Sequence, residues 1–235
     1  MSNPIIDSSI LSRSKQRSEI MAWRVVVALS RSTNTKVLVR GAYDDESNYS
    51  LVVHFRDFSS EDCIEIQRDV LTVQCGNSRR TYYDWIDRKN ARPVAFINGL
   101  LEDLNVPILD DNATVAPTPE LLSYQIISEC LIQSVGSTHT WECRCGADNV
   151  YGTRTHWFKD FPKIDLSKLA HSSEAAPEQQ FWFILRNSVP VICVSTKGTI
   201  FTPHSYAYQA ENLLALDRSA WHLVTNLPRF VAWTG

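Results

Sequence analysis

Residues 181–202 read FWFILRNSVPVICVSTKGTIFT, and this run commits the chain to a sheet. Phe181 to Leu185 and Val189 to Ser195 are apolar and rich in aromatic and β-branched residues. Arg186-Asn187-Ser188 separates them as a turn, and Lys197-Gly198 makes another before Thr199 to Thr202. The segment reads as a strand pair followed by a further short strand.

The N-terminal half offers three more candidate strands: Trp23 to Leu29 (WRVVVAL), Lys36 to Val39, and Ser50 to Phe58. Alternation in the last puts Leu51, Val53 and Phe55 on one face and Val52, His54 and Arg56 on the other. Ser59-Ser60-Glu61-Asp62 matches a capping box with Ser59 as the cap. Cys63, Ile66 and Val70 then follow helical spacing, although Ile64 and Ile66 also alternate as in a strand. The short helix is the preferred reading.

Pro93 opens a helix whose buried face would be Val94, Ile97, Leu101 and Leu104. Thr118-Pro119-Glu120 gives a cap, a first-turn proline and a first-turn acid. The stripe Tyr124, Ile127, Leu131 and Val135 follows, and Gly136 ends it. Tyr206 to Leu216 reads as helical. Residues 1–20 are polar, with Arg13, Lys15 and Arg17 among serines, and read as a flexible N-terminal arm. With no internal repeat and no linker, residues 21–235 read as one α+β domain with mixed or antiparallel sheets and packed helices.

Composition narrows the function classes. The net charge is −3 and 21% of residues are charged, which argues against a protein that coats nucleic acid. No uncharged apolar run reaches the roughly 18 residues of a membrane helix, and the start lacks the apolar core of a secretory signal. The expectation is a soluble protein that stays in the compartment where it is made. The six cysteines are scattered and read as reduced thiols.

Several clusters invite chemistry. Asp44, Asp45 and Glu46 offer carboxylates to a cation but lack the spaced ligands and glycine of a calcium loop, so a solvated turn is the better reading. Cys143 and Cys145, near His139 and His156, have a one-residue gap where a zinc knuckle uses two, and no second cysteine pair follows. Cys63 and Cys193 sit in no nucleophile signature and read as core thiols. His54 is rigidly aimed from mid-strand, which suits a binding or catalytic role, but composition alone favours a half-buried histidine satisfied by a neighbour. Ser195-Thr196 followed by Gln209-Ala210-Glu211 resembles an ADP-ribosylating toxin pattern at much shorter spacing.

Taken in order, GAYDDESNYSLVVHFRDFSSEDC (41–63), ATVAPTPELL (113–122), QQFWFIL (179–185), SYAYQ (205–209) and NLPRFVAWTG (226–235) resemble the Plast family of plant-transforming T-DNA proteins. That group includes RolB and RolC. The resemblance implies an effector made inside the transformed plant cell that modulates growth and the auxin and cytokinin response. It would act in the cytoplasm, with the nucleus as a secondary location, on host proteins or a small hormone-like ligand, with no nucleic-acid or membrane partner. It also implies a fold like that of ADP-ribosyltransferases, with NAD as the conceivable cofactor and His54, Thr114 and Tyr206 lining the cleft. The rival it leaves open is an enzyme, either an NAD-dependent ADP-ribosyltransferase or a glycosidase acting on hormone glucosides.

Overall fold

The computed structural model describes residues 8–43, 49–57, 60–110, 117–133, 139–146, 155–164, 180–203 and 207–211. The chain opens with α1, Ser8–Arg31. The run read as a strand, WRVVVAL, lies inside this helix, which also passes through the stretch expected to be an arm. Met21, Ala22, Trp23, Val25, Val26 and Leu29 are all buried, while Arg24 and Arg31, two turns apart, are exposed. Burial on most sides of the helix outweighs the modest helix propensity of three consecutive valines.

The first sheet is a five-stranded antiparallel meander, β1 Val37–Tyr43, β2 Tyr49–Phe55, β3 Cys63–Ile66, β4 Val70–Cys75 and β5 Ser78–Tyr83, in that spatial order. Its registers place Val39, Val53, Ile64 and Val73 side by side, and Leu51, Ile66 and Leu71 beside them. These residues form one apolar face. β3 stands where a short helix was expected. The Ser60 N–H donates to Asp57 Oδ1 at 3.1 Å and the Asp62 N–H to Ser60 Oγ at 3.1 Å. These polar side chains therefore build a turn into β3 rather than a helix cap, and the sheet takes Ile64 and Ile66 onto its buried face. The β4–β5 hairpin turns at Gly76, whose φ of +52° is a left-handed value.

Three helices follow: α2 Trp85–Ala91, α3 Pro93–Asp103 and α4 Pro119–Gln133. Pro93 opens α3 as its sequence predicts. Thr118 Oγ1 accepts the Leu121 N–H at 3.2 Å, which caps α4. Tyr124, Ile127 and Leu131 are buried, and Val135 and Gly136 lie outside the described residues. On α3 the buried positions are Ile97, Leu100 and Leu101, whereas Val94 is 64% exposed.

The second sheet is another antiparallel meander, β6 Trp141–Cys145, β7 Phe181–Arg186, β8 Val189–Ser195, β9 Thr199–Phe201 and β10 Ala207–Gln209. The β7–β8 turn falls at Asn187 and Ser188, both at positive φ, as a two-residue primed turn requires. Residues 207–209 were expected to be helical but pair with β9, and helix begins only at Ala210. A 3-10 helix, Thr155–Asp160, lays Phe158 edge-on against Phe181 and Phe183 of β7.

A helix followed by a five-stranded meander thus occurs twice, a repeat of topology with no counterpart in the residues. The contacts between the halves are reciprocal. α1 packs along α4 and touches both β1 and β6, α4 touches both β6 and β1, and β1 approaches β6. This is the contact pattern of an isologous pair, realised within one chain. One continuous core runs through both halves. The fold is α+β, as its sequence predicts, and every strand pair described is antiparallel.

Candidate functional site

Between the helices lies a groove of about 460 Å³. Its apolar lining is Val27 and Ala28 of α1, Pro93, Val94 and Ile97 of α3, and Ile132 of α4. Three cations share it: Arg24 and Arg31 of α1, and Lys89 of α2.

Lys89 is the unusual member. Trp85 anchors α2, fully buried with its Nε1–H donating to the Gln67 carbonyl at 3.0 Å. Four residues on, Lys89 shares that face and is carried inward, so that it is 6% exposed. Burial, reinforced by the Arg24 charge, pulls its pKa down to about 8. At neutral pH it therefore remains mainly protonated. It has neither an ion pair nor a hydrogen bond among the described residues.

Among the described residues the other cations also lack a carboxylate. Arg24 donates to the Met21 sulfur at 3.8 Å. With its amide oriented to satisfy both groups, Gln125 accepts from the Arg31 guanidinium, Nε at 3.3 Å. Glu129 lines the groove but is exposed and pairs with none of them.

The lowered pKa has a consequence for stability. Folding carries the full cost of the buried ammonium below pH 8. That cost is relieved as pH rises from about 8 toward the ordinary 10.5, because the folded state has released a proton that the unfolded state still holds. Lys89→Met is therefore expected to be more stable than the parent by about 1–3 kcal/mol at pH 7. In urea titrations the difference should shrink steadily between pH 8 and 10.5. A constant difference across that range would contradict the assignment.

Of the residues singled out in the sequence, those that the structure describes lie elsewhere. His54 is 2% exposed on β2, and its Nδ1 meets the Ser60 carbonyl at 3.2 Å. Burial, then the Arg40 charge, lowers its pKa. Thr114 and Tyr206 lie outside the described residues. So do Asp44, Asp45 and Glu46, in the connection between β1 and β2.

Cys63 stands opposite His54 in the register, but burial raises its thiol pKa, which disfavours a nucleophilic thiolate. Cys143 and Cys145 are buried in the core and Cys193 in the aromatic cluster, and burial pushes the thiols of Cys143 and Cys193 well up. His139 meets the Asn187 side chain, and no metal-binding cluster occurs among the described residues. Gln209 and Glu211 are exposed, at the end of the edge strand β10 and just beyond it.

The groove itself was missed in the sequence. The seven-residue spacing of Arg24 and Arg31 marks one face of a helix, but it is masked by the β-branched run between them. Nothing in WIDRKNAR distinguishes Lys89 from a surface lysine.

Residues 20–229 match the family described as TY-Chap2, the T3SS (YopN, CesT) and YbjN peptide-binding chaperone 2. No curated protein and no solved structure matches the chain. The family match overturns the Plast resemblance, whose blocks are short and individually unspecific. The T-DNA effector reading and its auxin and cytokinin roles go with it, as do the ADP-ribosyltransferase and hormone-glucosidase alternatives. The functions given to His54, Thr114 and Tyr206 rested on the same resemblance. With 210 of its 235 residues, counted from 20 to 229, inside the match, the chain belongs to the TY-Chap2 family.

Proposed function

We propose that this protein is a peptide-binding chaperone that holds a short segment of a partner polypeptide in the groove between α1, α3 and α4. The observation that carries the reading is the family match across residues 20–229. The groove offers the seat. Its volume suits a few side chains of a peptide rather than a folded partner, and its walls combine apolar contact with fixed charge. Helix-lined grooves of this kind take amphipathic segments through spaced apolar anchors.

Val94 provides the test. It is 64% exposed at the rim and sits in the first turn of α3, where an acid is compatible with the helix dipole. Val94→Asp is expected to change stability by no more than about 0.5 kcal/mol. Its affinity for peptides selected on an array of mixed sequences should fall about tenfold, read by fluorescence anisotropy. Failure of the parent protein to bind any peptide would sink the reading, and unchanged binding by Val94→Asp would remove the groove from it.

A further inference from the structure

We infer that the groove selects peptides that carry an acidic side chain within an apolar segment. The inference rests on the peptide-binding reading and assigns its specificity. Lys89 is a positive charge more than nine-tenths buried, lines the cavity, and is given no counter-ion by the described residues. A buried charge without a partner is costly, and proteins normally pair it. Here the open side is the groove, so a carboxylate arriving there would complete the pair.

Arg24 and Arg31 extend the positive charge along α1. Seven residues of helix separate them by about 10 Å, which suits a chain laid along the groove rather than a single small anion. Val27 and Ala28 lie between the two arginines, and Ile97 and Ile132 line the other walls. A ligand with apolar residues flanking one Asp or Glu matches that order of surfaces. The lowered Lys89 pKa agrees with the geometry, since an incoming carboxylate would raise it again toward its ordinary value.

The test uses one array-selected peptide containing a single glutamate, acetylated and amidated so that no terminal carboxylate contributes, and the same peptide with glutamine in its place. The parent protein should favour the glutamate form by about tenfold or more. Lys89→Met should still bind the glutamine peptide but lose the preference, and Lys89→Arg should keep it. Equal affinities in the parent, a preference that survives Lys89→Met, or an array that yields no acidic ligand overturns this inference alone. If neither peptide binds, the peptide-binding reading falls with it.

Discussion

Trp23→Ala is expected to lower stability by about 3–5 kcal/mol, a large share of what holds a domain of this size together. Trp23 is fully buried at the centre of α1. Its ring meets Trp182 of β7 edge-on at 4.9 Å and Tyr124 of α4 at 5.9 Å. One side chain thus ties the first helix to the fourth and to the second sheet. Removing it leaves a cavity where both halves of the fold meet, and neither neighbour can close it without breaking its own contacts. Tyr124 is itself pinned, its hydroxyl donating to the Val37 carbonyl at 3.1 Å. In urea unfolding the midpoint should drop with an unchanged slope. Trp23→Phe should cost markedly less, because the Trp23 indole N–H has no acceptor among the described residues and no hydrogen bond would be lost. A loss below about 1 kcal/mol for the alanine variant would mean that α1 is not the shared core helix.

Glu19→Ala should have a comparable effect for a different reason. Glu19 Oε1 accepts the Cys143 N–H at 2.6 Å and lies 3.1 Å from Arg144 Nη1. β6 is the edge of its sheet, so α1 supplies the acceptor that no neighbouring strand of that sheet gives. Arg144 is buried, pairs with Glu142 at 2.6 Å on its other side, and stacks over the Tyr49 ring at 4.2 Å. Removing Glu19 strands a backbone donor and leaves a buried guanidinium with one carboxylate fewer. Breaking a buried pair in this way costs about 3–5 kcal/mol. Glu19→Gln, which keeps an oxygen for the Cys143 N–H, should fall between the parent and alanine in urea midpoint. If glutamine and alanine lose equally, the charge on Arg144 dominates and the strand-edge hydrogen bond contributes little.

What could be read from the residues divides along physical lines. The β7–β8 hairpin, the proline start of α3 and the Thr118 cap are local features whose chemistry decides the backbone nearby, and the sequence shows them plainly. α1 and β3 are decided at a distance. Three valines favour strand until a helix is needed to pack along α4 and against β1 and β6, and a serine-rich cap signal becomes a turn when β2 and β4 offer Ile64 a place between them. β4, β5 and α2 carried too little patterning to be identified, although Gly76 marks the turn.

The candidate site was harder still. Its charge depends on Lys89 being turned inward by Trp85, a fact of packing that no motif encodes. His54 stood out because it interrupts an apolar strand, yet it is buried against the Ser60 carbonyl and lies outside the groove. The pairing of Lys89 with a stability cost also fits a functional position, since residues kept for binding often sit where an apolar side chain would be more stable.

Occupation of the groove formed by α1, α3 and α4 by a peptide is tested most directly by backbone hydrogen exchange of the full chain. With an array-selected peptide at saturation, exchange should slow in the second half of α1, in α3 and in α4, while β5 and β10 at the outer edges exchange as before. Slowing confined to those edge strands, with the three helices unaffected, would contradict the account and place the peptide on a sheet instead.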